Sequence, residues 1–246
     1  MAFYNCLLMD LDGTLLDFDA AEDAAIRNAL SHFELPATDE TVAQYHTINN
    51  ALWAALERGE VRQEKLVVQR FEKLLTVLEA SGDAVRMNDY YLTQLSLGAD
   101  QIEGAEETLR ELAEVATIAI VSNGVERVQT GRLERSGLGA LCDDVFISSR
   151  VGASKPSRKI FDTAIQALGI ENKKKVLVVG DSLKADIAGG SGAGLATCWC
   201  NFKNLPLPES AVKPDFIIHS FEELLRIVME QEELDYVGSK ERRHQL

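Results

Sequence analysis

The sequence predicts an α/β fold: a doubly wound parallel sheet, Rossmann-like and covered by helices on both faces, with a helical module inserted into it. Two observations carry this. Short apolar runs that end in turn residues recur along the chain and alternate with amphipathic stretches. One long interval near the N-terminus breaks that alternation with helical periodicity alone. Strands buried on both faces read as near-continuous Val, Ile and Leu, as these runs do.

The first strand is expected at Cys6–Met9. From Asp17 to Leu97 no strand signal follows, while Ile26, Leu30 and Phe33 share one helical face and Leu66, Phe71, Leu74, Leu75 and Leu78 another. About 80 helical residues are too many for a βα crossover, whose connections are short, so this interval is expected to be a separate cap. Strands follow at Val115–Val121, Val145–Ile147, Val176–Val179, Ala196–Cys200 and Phe216–Ile218. Helices between and after them are expected at Ala105–Glu114, Glu126–Arg135, Arg158–Leu168 and Phe221–Glu230. The predicted sheet-bearing core is therefore residues 1–16 and 98–234, with the helical cap at 17–97 and a polar, flexible tail at 235–246.

Composition narrows the function. The 246 residues are 46% hydrophobic and 26% charged, an ordinary globular balance. Lys and Arg number 25 against 39 Asp and Glu, a net charge of −14. Such a surface repels a phosphate backbone, which argues against a nucleic-acid polymer as partner. No run approaches the roughly 20 apolar residues of a membrane span, and Asp10 interrupts the N-terminal apolar stretch too early for a secretory signal. Cys6, Cys142, Cys198 and Cys200 form no CxxC pair. Reduced thiols and a cytoplasmic location are the expectation.

Four strand ends carry groups with chemical potential. The first strand runs into Asp10-Leu11-Asp12-Gly13-Thr14. Two carboxylates at the end of an apolar strand are costly unless a cation or hydrogen bonds hold them. They read either as a nucleophile and an acid/base, or as a solvated turn that caps a helix. The second strand ends in Val121-Ser122-Asn123-Gly124, where a hydroxyl, an amide and the N–H groups of a helix start can hold phosphate oxygens or simply cap that helix. Lys155, in Gly152-Ala153-Ser154-Lys155-Pro156-Ser157, can neutralise a phosphate or stand in solvent. The fourth strand runs into Gly180-Asp181-Ser182-Leu183-Lys184-Ala185-Asp186. There Asp181 fits a hard cation such as magnesium, and Asp186 either assists or orients a loop.

In an open parallel sheet, ligands bind beyond the carboxyl ends of the strands where strand order reverses. With the first strand central, the four segments meet in one crevice holding four carboxylates, a lysine and a hydroxyl. Without a divalent cation that clustering raises the carboxylate pKa values sharply. With the cation it is a phosphoryl-transfer site.

Asp10-x-Asp12-x-Thr14, Ser122, Lys155 and Gly180-Asp181-x4-Asp186 together resemble the haloacid dehalogenase superfamily of phosphotransferases, over nearly the whole chain including the insert. The resemblance implies that Asp10 attacks phosphorus and becomes an aspartyl phosphate. It implies that Asp12 protonates the leaving alcohol and then activates water, while Ser122 and Lys155 hold the phosphoryl group. It also implies Mg2+, with Mn2+ as a substitute, bound by Asp10, the Asp12 backbone carbonyl and Asp181, with Asp186 in support.

A narrower resemblance, to the bacterial pyrimidine 5′-nucleotidase family, lies in Leu16-Asp17-Phe18-Asp19-Ala20-Ala21-Glu22, Ile48-Asn49-Asn50-Ala51-Leu52-Trp53, Glu57-Arg58-Gly59-Glu60 and Arg70-Phe71. It continues in Gln129, Arg132-Leu133, Ser136-Gly137-Leu138 and Thr197-Cys198-Trp199-Cys200-Asn201. The sequence departs from that family at Cys200, where an aromatic residue is expected, and at Gly13, where many members have a second Asp. This resemblance implies a Mg-dependent hydrolase of pyrimidine nucleoside monophosphates, including non-canonical ones, working as a monomer or homodimer. Thr14, Asn123, Gly124, Phe18, Asn49 and Trp53 are the expected substrate contacts. Phe18, Asn49 and Trp53 each also read as packing residues of the cap. The competing functions are a sugar-phosphate phosphatase or phosphomutase of the same superfamily and a non-catalytic ligand-binding protein on its scaffold.

Overall fold

The computed structural model describes residues 3–229; the expected flexible tail lies outside the described residues. Six strands form one parallel sheet: β1 (Cys6–Met9), β2 (Thr117–Ser122), β3 (Asp144–Ile147), β4 (Val176–Gly180), β5 (Ala196–Cys200) and β6 (Phe216–Ile218). Their spatial order is β3-β2-β1-β4-β5-β6. The helices are α1 (Phe18–His32), α2 (Asp39–Glu57), α3 (Gln63–Val77), α4 (Ala84–Leu95), α5 (Ala105–Ala113), α6 (Glu126–Ser136), α7 (Ser148–Val151), α8 (Arg158–Ala167), α9 (Gly189–Gly192) and α10 (Phe221–Met229). No helix among the described residues is long and apolar enough to cross a membrane.

The central strand explains the sheet. β1 pairs Cys6, Leu7, Leu8 and Met9 with Thr117–Ile120 on one side and Val176–Val179 on the other. All four of its side chains are fully buried. Cys6 and Leu8 pack with Ala119, Val121, Val176 and Val178 against Ile160, Phe161 and Ala164 of α8. A strand covered on both faces needs no polar alternation, which is why its sequence reads as one apolar run. β2 begins two residues later than the hydrophobic run suggests. The Val115 and Ala116 amides donate to the Leu112 carbonyl and finish α5 instead of joining the ladder.

The described chain divides into two compact units. Within the described residues, one comprises 3–16, 101–124 and 137–229, and contains the sheet. The other comprises residues 17–100 and 125–136. Thus α6, expected to be a crossover helix of the core, groups with the inserted helices. Val128 of α6 is buried in the same apolar cluster as Ile26, Leu30, Phe71 and Leu92.

Caps set the starts of the inserted helices. Asp17 Oδ1 accepts from the Ala20 amide at 3.0 Å, Thr38 Oγ1 from Thr41 at 3.3 Å, and Asp83 Oδ1 from Val85 at 3.0 Å. Inside the helical unit a polar network crosses the apolar core. Glu22 of α1 accepts at Oε1 from Asn49 Nδ2 (2.8 Å) and the Tyr91 hydroxyl (3.2 Å), and its Oε2 lies 3.0 Å from His46 Nδ1. Arg70 donates to Asn49 Oδ1 (3.2 Å) and Asn88 Oδ1 (2.9 Å), with its guanidinium 4.4 Å from the Tyr91 ring centroid.

The hydrogen bond to Glu22 raises the His46 pKa above its ordinary 6.5, against the opposing loss of water, with the charges of Glu22, Asp23 and Asp19 adding to the rise. A raised histidine pKa adds stability that is complete below 6.5 and is lost as pH climbs through the folded-state value. Replacing His46 by Gln should therefore flatten the fall of the thermal midpoint with pH on the alkaline side of 6.5. Melting curves of both proteins across that range test it, and parallel slopes would remove the ion pair as the source.

Candidate active site

The first motif begins as an extension of β1. The Asp10 amide donates to the Val179 carbonyl at 2.8 Å, so Asp10 is still held beside β4. The chain then turns back on itself. Leu15 and Leu16 amides donate to the Leu11 carbonyl, and the Gly13 amide donates to Leu16, each at 2.9 Å. Gly13 has φ +78°, and a Cβ placed on it would stand 2.6 Å from Asp181 Oδ2. Glycine, with no side chain, takes that turn and that approach without strain and without displacing the Asp181 carboxylate. Gly180 plays the same part for Asp186, whose carboxyl group occupies the space that a Cβ at Gly180 would need.

Lys155 ties these segments together. Its Nζ donates to Asp10 Oδ1 at 2.6 Å and to Asp186 Oδ1 at 2.7 Å. All three side chains are about nine-tenths buried or more: Lys155 keeps 3% of its exposure, Asp10 10% and Asp186 1%. The second Asp186 oxygen accepts from the Ser182 amide at 3.0 Å. The Lys155 backbone is fixed in turn by Asn123, whose Oδ1 accepts from the Lys155 amide (2.8 Å) and whose Nδ2 donates to the Lys155 carbonyl (2.9 Å). Asn123 was expected to meet substrate; its side chain is instead the bracket that holds Lys155. Ser122 ends β2, buried, and its Oγ accepts from the Gly124 amide at 3.0 Å, so that amide serves the turn itself. Thr14 is fully buried, and its hydroxyl has no hydrogen-bond partner among the described residues.

The electrostatics are unbalanced. Burial pulls the Lys155 pKa down, but the charges and hydrogen bonds of Asp10 and Asp186 outweigh it and raise the ammonium's pKa. Asp186 is pushed up to about 6, first by burial, with Lys155 pulling it back and the Asp10 charge raising it. Loss of water, then the charges of Asp10 and Asp186, hold Asp181 well above the usual carboxylate range, although the residue keeps an exposed side. One ammonium thus faces more carboxylates than it can neutralise.

Asp10, Asp181 and Asp186 each offer an oxygen within 4.8 Å of the others. A hard, all-oxygen donor set with excess negative charge fits a divalent cation of the Mg2+ type. The Asp12 side chain is not part of that set.

The family model of haloacid dehalogenase-like hydrolases matches residues 4–194. The chain belongs to this family. Among the relatives of this haloacid dehalogenase-like hydrolase, the HAD-hydrolase YfnB of Bacillus subtilis is 37% identical over 229 residues, covering 93% of this chain and 97% of YfnB. Pyrimidine 5′-nucleotidase PynA of Streptococcus pneumoniae is 35% identical, covering 91% and 94% respectively. Pyrimidine 5′-nucleotidase YjjG of Escherichia coli is 31% identical, covering 92% and 98%. The crystal structure of YfnB bound to magnesium superposes with a TM-score of 0.86 over 91% of this chain and 98% of that one.

Within the helical unit of this hydrolase, the Asn49 amide is 2% exposed and paired with Glu22 and Arg70. Phe18 packs on the unit's apolar cluster with the Arg132 guanidinium 5.7 Å from its ring centroid. Trp53 is half-buried on α2. Three residues that the sequence reading quoted as motif members without a role support the site. Gly180 and Ser182 shape the approach of Asp186, and Trp199 donates from its indole nitrogen to the Asp181 carbonyl at 2.8 Å. A Ser ahead of a helical turn is a visible signal for Ser182, whereas Trp199 is found only through the pairing of β5 with Gly180.

Two outcomes follow from these contacts. Gly13→Ala should push the Asp181 carboxylate aside and raise the Mg2+ needed for half of the metal-induced thermal shift by about tenfold. An unchanged titration would mean that the approach of Gly13 to Asp181 is immaterial. Asn49→Ala, which leaves parts of Glu22 and Arg70 without a buried partner, should cost about 2 kcal/mol of stability by denaturant unfolding. A variant as stable as wild type but impaired in turnover would instead return Asn49 to the substrate.

Proposed function

We propose that this hydrolase is a magnesium-dependent 5′-nucleotidase that cleaves pyrimidine nucleoside monophosphates, non-canonical ones included, through an aspartyl phosphate on Asp10. The observation that carries the phosphoryl-transfer part is the Lys155 ammonium shared between Asp10 and Asp186, with Asp181 completing a three-carboxylate cluster. The 35% and 31% identity to the pyrimidine 5′-nucleotidases PynA and YjjG, over 91% and 92% of this chain, supports the choice of nucleotide.

In this reading Asp10 attacks phosphorus, the bond from phosphorus to the ester oxygen breaks, and Asp12 gives its proton to the departing alcohol. Asp12 then takes a proton from water, which attacks phosphorus and releases the Asp10 carboxylate and phosphate. One residue serves as acid and then as base because hydrolysis is split into two steps. Lys155 and Ser122 hold the phosphoryl oxygens. A carboxylate and a phosphate dianion repel each other, and Lys155 offsets part of that repulsion. Asp10, Asp181 and the Asp12 carbonyl, with Asp186 in support, would hold Mg2+, which would supply the remaining charge compensation.

Phosphate release measured over pyrimidine and purine monophosphates, hexose phosphates and triose phosphates tests the proposal. Pyrimidine monophosphates should lead, EDTA should abolish turnover, and Asp10→Asn should bring it to background. Asp12→Asn should lose about 10²- to 10⁴-fold on nucleotides, the usual worth of a general acid. A preference for sugar phosphates would point to the competing phosphatase reading, and turnover retained by Asp10→Asn would overturn the nucleophile.

A further inference from the structure

Arg132, on the helix that follows the Ser122-Asn123-Gly124 turn, has no exposed surface and is among the largest fully buried side chains of the described chain. Its Nε donates to the Gly98 carbonyl at 2.6 Å, and an Nη donates to the Asp17 carbonyl at 3.2 Å. These two carbonyls lie where the chain enters and leaves the insert. The same two segments are paired directly, since the Asp17 amide donates to the Asp100 carbonyl at 2.9 Å. Gly98 has no room to move toward α1, because a Cβ on it would stand 2.5 Å from Ala21 Cβ. The Arg132 side chain therefore grips fixed points.

Asp17 is the residue after Leu16, and Leu16 sets the backbone on both sides of Asp12. The Leu16 amide donates to the Leu11 carbonyl, and the Leu16 carbonyl accepts from the Gly13 amide, both at 2.9 Å, closing a bridge between Asp12 and Leu16. Asp10 does not depend on this loop closure. Its amide is held by Val179 and its carboxylate by Lys155.

We propose that Arg132 is a positioning residue for Asp12: by holding the Asp17 carbonyl it fixes the exit of the loop whose return places the Asp12 carboxyl at the leaving oxygen. The inference rests on the acid/base role given to Asp12 above. Loss of Arg132 then blunts proton donation to the leaving group while leaving the attack by Asp10 intact. A general loss of folded protein would lower all substrates alike, whereas a misplaced acid harms only esters whose leaving group needs a proton. An alkoxide needs one and p-nitrophenolate does not. The ratio kcat/KM reports the steps through the first phosphoryl transfer, so it isolates the acid role.

The experiment compares kcat/KM for uridine monophosphate, glycerol 2-phosphate and p-nitrophenyl phosphate in wild type, Arg132→Lys, Arg132→Met and Asp12→Asn, with thermal midpoints recorded for each. Arg132→Met should lose about tenfold or more on the alkyl esters and stay within about twofold on p-nitrophenyl phosphate. Arg132→Lys, able to reach one carbonyl but not both, should fall between. Where Arg132→Met does not fold, Arg132→Lys carries the comparison. Equal losses on all esters, or none, would overturn the proposal. Asp12→Asn should show the same bias more strongly, and a lack of bias there would remove the acid role and this inference with it. If wild type ignores the uridine ester but cleaves another alkyl phosphate, the nucleotide reading fails while the Arg132 comparison runs on that ester.

Discussion

The arrangement at the carboxyl edge of the sheet depends on one buried ammonium. Lys155 donates to Asp10 and Asp186 at 2.6 and 2.7 Å, and an ion triad taken out of water persists only where every member is fixed by further bonds. Each is. Asp10 is anchored through Val179, Asp186 through Ser182, and Lys155 through both ends of the Asn123 amide. Even so, the lysine does not balance its surroundings, and Asp181 and Asp186 are both driven toward protonation. A divalent cation at the same oxygens reverses that tendency, because its charge favours the ionised forms. The repulsion also explains the scaffold. Carboxylates on mobile loops would separate, whereas strands in register hold them where their charges conflict.

Close approach is the second constraint. Two of the carboxylates occupy positions that an ordinary side chain on the facing residue would deny them, Asp181 against Gly13 and Asp186 against Gly180. The strand order sets β1 between β2 and β4, so the ends bearing Asp10, Ser122 and Asp181 are neighbours before any side chain is considered. Lys155 arrives from beyond β3, the next strand out, and needs the Asn123 bracket to reach across. Phosphoryl transfer is governed chiefly by such positioning, and less by the intrinsic reactivity of any group.

The strands were legible in the sequence because burial on both faces removes polar alternation, leaving runs such as Val176–Val179 that no surface element would carry. The four motif loops were legible because each sets polar groups against the end of such a run. Other features had no such contrast. The amphipathic pattern of α6 is the same whether its apolar side meets a sheet or other helices, so its grouping with the insert is a tertiary fact. Asn49 on an apolar stripe announces that it needs a partner, but not that the partner is Glu22 and Arg70. Arg132 enters the sequence reading only as part of the family resemblance, since nothing in its neighbours declares that two backbone carbonyls await it.

The polar core of the insert raises the question of what it contributes, since apolar residues of similar volume would pack there at no loss of stability. Glu22, Asn49, Arg70 and Asn88 come from four different helices, and their hydrogen bonds close only in one relative placement of α1, α2, α3 and α4. A misregistered packing would bury unpaired charge, which is far more costly than a misplaced methyl group. Arg132 extends the same logic to the ends of the unit, where the groups satisfied are backbone carbonyls. The insert is thus specified in its middle by side-chain pairing and at both ends by one guanidinium. The groups around Lys155 engage features common to every phosphomonoester, so discrimination between esters must be carried by residues elsewhere in the chain, on elements held in a single arrangement.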